Sequence, residues 1–307
     1  MRKTEEEIIS KPSQLIIFLR GIVNAFRNND YPERKPMPKI GSYFYDAPIT
    51  KEYNYYDYLL GIYKNKNGRV FIKTWAGDRN STQYHFLKNE YRVCQLLYKK
   101  LRASPYDIRV PRPIEWIENE NYTAAVFEVI NGEVLSKFPL EFQTKQYKKI
   151  LLDLQTVSRD LTKDEKAQYM RRTFIFYFFS LVYFSFVSLM KSPRLLKTIV
   201  SLVIESLINL NKIKKGFLIL THRDLSTGNI MIYKNKIYLL DAGLMTLTYD
   251  GFDLANAYLF SQLKLPLKQL ETPGIESHYV FFTHYIILHR YIKQYLENPE
   301  RLHSSIS

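Results

Sequence analysis

At 307 residues, with 46% hydrophobic content and 11 glycines, the chain is long enough to bury a sizeable core and too apolar for a disordered tail. Lys and Arg number 44 against 30 Asp and Glu, a net charge of +14 that favours anionic partners. The single cysteine, Cys94, excludes disulfides within the chain and cysteine-type metal clusters, and the 6 histidines show no zinc-ligand spacing.

From Ser13 to Arg27 the sequence is amphipathic, with Arg20 and Arg27 among apolar residues. Arg20 interrupts the apolar stretch and Glu5, Glu6 and Glu7 precede it, which is not the make-up of a secretory signal. Packing against the fold is the expectation, attachment to an anionic lipid surface the alternative. Pro32, Pro36 and Pro38 mark the stretch from Asn28 to Lys39 as a linker, so residues 1–40 read as helix plus linker.

Arg69-Val70-Phe71-Ile72-Lys73 is a β-rich run entered by the turn Asn65-Lys66-Asn67-Gly68. Next, His85 to Leu97 sets Phe86, Tyr91, Val93, Cys94, Leu96 and Leu97 roughly along one helix face, with Glu90 among them. Cys94 on such a face reads as packing. Val110-Pro111-Arg112-Pro113-Ile114 and Phe127 to Leu135 give two further extended stretches, with Gly132 expected to relax the chain after the second. From 133 to 220 the chain holds 15 Lys and Arg against 7 Asp and Glu, more than half of the net charge in under a third of the length. Inside this region, Thr173 to Met190 carries no charge over 18 residues and is flanked by Arg171-Arg172, Lys191 and Arg194.

Phe217-Leu218-Ile219-Leu220 reads as a buried approach to Thr221-His222-Arg223-Asp224-Leu225-Ser226-Thr227-Gly228-Asn229. Ile230 to Tyr233 and Ile237 to Leu240 then form a hairpin around Lys234-Asn235-Lys236 and present Asp241 at its exit, before Ala242-Gly243. An Asp, an Asn five residues on and a second Asp after an apolar run are what phosphoryl transfer needs. One carboxylate accepts the acceptor hydroxyl's proton, and two oxygen ligands hold Mg²⁺ on the phosphates.

These motifs resemble the catalytic and metal-binding loops of the protein-kinase-like superfamily, with Lys73 and Glu90 in the expected order upstream. The stretches at Val110–Ile114, Phe127–Leu135 and Gly251–Ala255 resemble the aminoglycoside phosphotransferase and choline kinase group. The resemblance spans most of residues 69–260 and implies an α+β, bilobal fold, with an N-lobe antiparallel sheet plus helix and a mainly helical C-lobe. It implies an N-lobe and lobe linker at 41–132 and a C-lobe at 133–307, with a helical acceptor-site insertion at 133–216. It further implies ATP between the lobes, Lys73 on the α/β-phosphates, Glu90 holding Lys73, and adenine on the main chain of Glu128 and Ile130. Asp224 is then the catalytic base, Asn229 and Asp241 hold Mg²⁺, and Asp253 is an N-cap that also bonds the catalytic-loop backbone.

Departures narrow the acceptor. Only nine residues separate Gly243 from Asp253, and no Ala-Pro-Glu motif follows, which leaves little backbone for a peptide platform. Arg223 stands where small-molecule kinases of the superfamily usually carry Gly, and so resembles protein kinases and lipopolysaccharide core-sugar kinases. Ser226 replaces the Lys usual in Ser/Thr kinases, and Ala242 the Phe of the protein-kinase metal loop. No Gly-x-Gly-x-x-Gly loop precedes Lys73; the equivalent segment runs from about Gly41 to Tyr55. A single membrane crossing at 173–190 would separate Lys73 from Asp224, and a second crossing would bury Lys197 and Glu205. A core helix is therefore the expectation and an interfacial helix the alternative. The reading that follows is a cytoplasmic kinase, peripheral on the inner membrane face, acting on an anionic sugar or glycolipid such as lipopolysaccharide core, with no nucleic-acid partner. A soluble small-molecule kinase and a silent nucleotide-binding scaffold remain the alternatives.

Overall fold

A computed structural model describes residues 36–48, 58–102, 105–191, 200–201, 203–205, 207–208, 217–261 and 279–287. The amphipathic stretch from Ser13 to Arg27 lies outside them. The chain divides into two units: residues up to Phe138 with Gly228–Met245, and Pro139–Thr227 with the chain from Thr246 onward.

The first unit contains β1 (Lys39–Ile40), β2 (Tyr43–Ala47), β3 (Leu59–Asn65), β4 (Gly68–Trp75), α1 (Thr82–Arg102), β5 (Ile108–Arg109), β6 (Pro113–Glu118), β7 (Thr123–Glu128) and β8 (Glu133–Val134). Six strands form one antiparallel sheet in the order β1-β2-β3-β4-β7-β6. The two-residue period of β4 sends Val70 and Ile72 to one face, where they join Ile40, Tyr43, Tyr63, Ala124 and Val126. The opposite face takes Phe71, Lys73 and Trp75. Helix α1 covers that face: the Tyr91 ring meets Phe127 at 5.8 Å and Trp116 at 5.5 Å. Ser81 Oγ accepts from the Tyr84 N–H at the start of α1, and Lys99, Lys100 and Arg102 suit its negative C-terminal end. Cys94 is buried on the helix, as its apolar setting predicts.

The hairpin of β10 (Ile230–Tyr233) and β11 (Lys236–Leu239) belongs to this unit and builds a second sheet, β5-β11-β10-β8. Its turn is the pair Lys234-Asn235, both left-handed at φ 48° and 59°, the conformation that a two-residue hairpin of matching twist needs; Lys236 already pairs with Tyr233. Gly132 serves space, not flexibility. Its φ is not positive, and a Cβ there would lie 2.5 Å from the Ile232 carbonyl oxygen, so only glycine lets this strand approach the hairpin.

The second unit contains α2 (Leu140–Asp160), α3 (Lys163–Gln168), α4 (Phe174–Lys191), β9 (Leu218–Thr221), β12 (Thr246–Tyr249) and α5 (Phe252–Ser261). A capping box starts α3: Thr162 Oγ1 accepts from the Glu165 N–H, and the Glu165 carboxylate accepts from the Thr162 N–H. Strands β9 and β12 pair as an antiparallel ribbon, and Ser158 of α2 accepts from the Leu220 N–H at 2.7 Å. Contrary to the expected buried approach, Phe217 is exposed; burial begins inside β9.

The uncharged run forms α4, and its two faces differ. Tyr177, Ser180 and Leu181 are buried, with Tyr177 edge-on to Phe281, Phe282 and Tyr285. Ile175, Phe178, Phe179, Val182 and Phe186 are between 41% and 64% exposed, a second apolar face turned to solvent. No helix among the described residues is long and apolar enough to cross a membrane.

Candidate active site

Lys73 is the centre of the first group. Its place on the α1-facing side of β4 buries the residue to 7% exposure, and its Nζ donates to Glu90 Oε2 at 2.8 Å and to Asp241 Oδ1 at 2.7 Å. The Tyr58 ring lies 4.5 Å from the same nitrogen, with its hydroxyl donating to the Gln83 carbonyl. Burial works against the charge on Lys73, but the Asp241 and Glu90 carboxylates outweigh it and hold its pKa well above the ordinary lysine range. Burial pushes Glu90 up to about 7, with Lys73 pulling it down and Asp241 adding repulsion.

Asp241 leaves β11 in the left-handed region, φ 55° and ψ 51°, and its side chain is 44% exposed. The buried Asn229 sits at the head of the same hairpin, in the 3-10 turn Thr227–Asn229. The Leu240 N–H donates to the Asn229 carbonyl at 2.9 Å, so one backbone bond fixes the two positions to each other. A carboxylate and an amide oxygen are hard donors that suit Mg²⁺. Among the described residues no cluster of three His, Cys, Asp or Glu could hold a metal ion alone. A magnesium ion here would therefore take its remaining ligands from phosphate and water, the usual arrangement for that ion.

A residue absent from the sequence reading completes this group. Asn89 is fully buried, and its amide donates to the Gly243 carbonyl at 2.9 Å and the Met245 carbonyl at 3.1 Å. It pins α1 to the segment just past Asp241, where a Cβ on Gly243 would lie 3.2 Å from the Phe86 carbonyl oxygen. A polar residue next to Glu90 was the only available signal, and it looks like any solvated helix position. Asn89→Ala removes the partner of two carbonyls and is expected to cost about 2–3 kcal/mol. Thermal unfolding would read this as a midpoint lower by about 5 °C; an unchanged midpoint rejects the pin.

The expected nucleotide-contacting main chain lies at the end of β7. The Glu128 N–H donates to the Arg112 carbonyl at 3.0 Å, and the Glu128 carboxylate accepts from the Arg112 N–H at 2.8 Å. Ile130 follows in irregular chain and is partly buried. Gly41, the start of the expected phosphate segment, occupies the turn between β1 and β2 at φ 55°, with its N–H on the Tyr122 hydroxyl. Residues 49–57 of that segment are outside the described residues.

Asp224 belongs to the second unit, on the loop leaving β9. The loop is shaped by Asp253, whose two carboxylate oxygens accept from the His222 and Arg223 N–H groups, each at 2.7 Å. Asn256 donates to the Arg223 carbonyl and Tyr147 to the Leu225 carbonyl. These bonds hold Arg223 at φ 69° and so set the direction in which Asp224 follows. Burial raises the Asp253 carboxyl, while His222 and Arg223 oppose the rise. Asp253 is not the N-cap of α5: it lies inside the first turn, Gly251 supplies the first helix acceptor to the Ala255 N–H, and the carboxylate is committed to the loop.

No protein-family model matches the chain, and no curated protein does. Solved structures resemble it in fold. The apoenzyme of macrolide 2'-phosphotransferase MphH from Brachybacterium faecium has a TM-score of 0.53 at 14% identity, over 86% of this chain and 92% of that one. A thermostable mutant of aminoglycoside phosphotransferase APH(4)-Ia, in ternary complex with AMP-PNP and hygromycin B, has 0.52 at 8% identity, over 79% and 88%. Its apo form has 0.51 at 9% identity, over 84% and 89%. The chain has the α+β protein-kinase-like fold.

Proposed function

We propose that this chain, having the protein-kinase-like fold, is a phosphotransferase that moves the terminal phosphoryl group of ATP onto a hydroxyl of a small non-protein acceptor. The observation that carries this reading is the buried Lys73, bonded at once to Glu90 and to Asp241. A buried lysine held by one carboxylate, with the second on a half-exposed left-handed corner, is a phosphate-aligning cation beside a metal ligand. Structural resemblance to phosphotransferases that take hygromycin B and macrolides supports an acceptor of that size.

In this reading Lys73 orients the α- and β-phosphates, and Glu90 keeps its ammonium charged and in place. Asp241 and Asn229 hold Mg²⁺, which neutralises the charge on the phosphates when bound. Asp224, its loop fixed by Asp253, orients the acceptor hydroxyl and takes its proton as the new bond to phosphorus forms. Main-chain groups of Glu128 and Ile130 receive the adenine. Because such catalysis is mainly positioning and charge stabilisation, each of these side chains is worth a large factor in rate. The excess of Lys and Arg in 133–220 weighs against a polycationic acceptor and for a neutral or anionic one.

A second reading keeps the chemistry and changes the acceptor to the sugar of an anionic glycolipid, met at a membrane surface. The solvent-facing Ile175, Phe178, Phe179, Val182 and Phe186 of α4 favour it, since an exposed aromatic face suits the headgroup boundary.

Phosphotransfer from labelled ATP and Mg²⁺ into a whole-cell extract tests both. Label in the water-soluble fraction with wild type, reduced about 10²–10⁴-fold by Asp224→Asn, is the expected result. Label in the glycolipid fraction would establish the second reading. ATP binding with no label in any fraction would leave a nucleotide-binding scaffold.

A further inference from the structure

We propose that Arg172 and Arg223 form a binding site for an oxyanion, a phosphate, sulfate or carboxylate group, next to the loop that carries Asp224. Both arginines lie beside one β ribbon. Arg172 is clamped to β12 by its N–H on the Leu247 carbonyl at 2.8 Å, and its own carbonyl accepts from Thr248 Oγ1 at 3.1 Å. Arg223 leaves β9, whose Leu220 and Thr221 pair with Leu247 and Thr246. Each guanidinium lies on an aromatic ring, Arg172 at 4.3 Å from the centre of Phe176 and Arg223 at 5.1 Å from that of Phe252. Both act electrostatically on the buried Tyr177 hydroxyl, which is bonded to Thr248.

Neither charge is answered by a side chain. Among the described residues, neither guanidinium makes a hydrogen bond or ion pair, and Nε and Nη1 of Arg223 are fully buried without a partner. The carboxylate that acts on Arg223, Asp253, already accepts the His222 and Arg223 N–H groups with its two oxygens. Burial, and after it the Arg223 guanidinium, pushes Arg172 down to about 9, so the pair repels itself. Two half-buried guanidiniums, one with Nε and Nη1 buried and unpartnered, are costly, and a planar or tetrahedral oxyanion supplies both the missing charge and the missing acceptors.

This site does not depend on the phosphotransfer reading, and its test uses binding. The full chain is melted in sodium phosphate, sulfate and chloride at matched ionic strength, without nucleotide or Mg²⁺. Phosphate and sulfate should raise the wild-type midpoint saturably, by about 3 °C at ten times the dissociation constant, and chloride should not. Arg172→Gln and Arg223→Gln should lose the saturable rise, whereas Arg171→Gln, at an exposed neighbour, should keep it. If the Gln variants do not fold, Arg172→Lys replaces them, with a dissociation constant at least about fivefold higher because the planar fork is lost. A wild type that answers phosphate and sulfate no better than chloride overturns the site, as does a saturable rise surviving in Arg172→Gln. Phosphotransfer by an enzyme with flat melting curves would leave the kinase reading standing without the site. Offering a sugar and its phosphate ester as acceptors separates the sources. Sulfate competing only with the ester identifies the acceptor's own charged group, and sulfate altering both turnovers alike identifies a free oxyanion.

Discussion

Asp241→Asn should lower phosphotransfer at least about a thousandfold while leaving the folded state nearly intact. The substitution suits the backbone: Asp241 sits at φ 55°, a left-handed conformation that Asn adopts as readily as Asp. Asn also retains an oxygen for the 2.7 Å bond from Lys73. What disappears is the negative charge on a hard-metal ligand, and raising Mg²⁺ should recover only part of the rate. Removing that charge relieves repulsion on Glu90 and takes away an attraction to Lys73, two effects of opposite sign. A melting midpoint within about 2 °C of wild type is therefore expected. Turnover within tenfold of wild type would remove Asp241 from the metal site.

Lys73→Met should show the opposite balance, a large loss of stability together with loss of nucleotide binding. Breaking a buried ion pair from one side costs about 3–5 kcal/mol, because the remaining charge is stranded. Here the stranded group is Glu90, buried at 5% exposure. Its pKa, already pushed up by burial, rises further without Lys73, so Glu90 protonates on folding. A carboxyl whose folded pKa lies above its unfolded value stabilises most at low pH and loses that contribution as pH rises through the folded value. The variant's stability should accordingly fall from pH 5 to pH 8 more steeply than wild type's. Adding Glu90→Leu should restore most of the midpoint and none of the nucleotide affinity, and a double-mutant cycle would read the coupling directly. If Lys73→Met melts like wild type at both pH values, the pair is not buried as described.

Much of this arrangement could be read from residues alone. The run ending in Lys73 has the strand period, Glu90 falls on the packed face of a periodic helix, and the hairpin before Asp241 is bracketed by turn residues. What escaped reading was long-range. Asn89 matters because two carbonyls 154 and 156 positions away meet it, and no local pattern carries that information. Gly132 looked like a flexible joint, but its purpose is visible only once Ile232 lies against it. The bond of Asp253 to the catalytic-loop backbone was expected, but not that both carboxylate oxygens serve the loop 30 residues earlier and leave the cap to Gly251. Arg172 read as one of two flanking charges, whereas only Arg171 is exposed. Along 173–190 the absence of polar residues hid which side of α4 would pack, since periodicity needs contrast to be seen.

The order of the chain in the first unit has a consequence for biosynthesis. Strand β11 pairs in parallel with β5, Ile237 opposite Ile108, and Lys73 meets a carboxylate 168 positions downstream. A nascent polypeptide that has just passed Phe138 already holds the lysine and Glu90 but lacks the hairpin that builds the second sheet and brings Asp241. Nearly ninety residues, including the apolar α4, must be translated before Gly228–Met245 arrives. During that interval Ile108–Arg109 and Glu133–Val134 lack the strands they pair with in the folded chain, and the waiting time at ribosomal speed is on the order of 4–18 s. This is a long-range closure of the kind that slows folding.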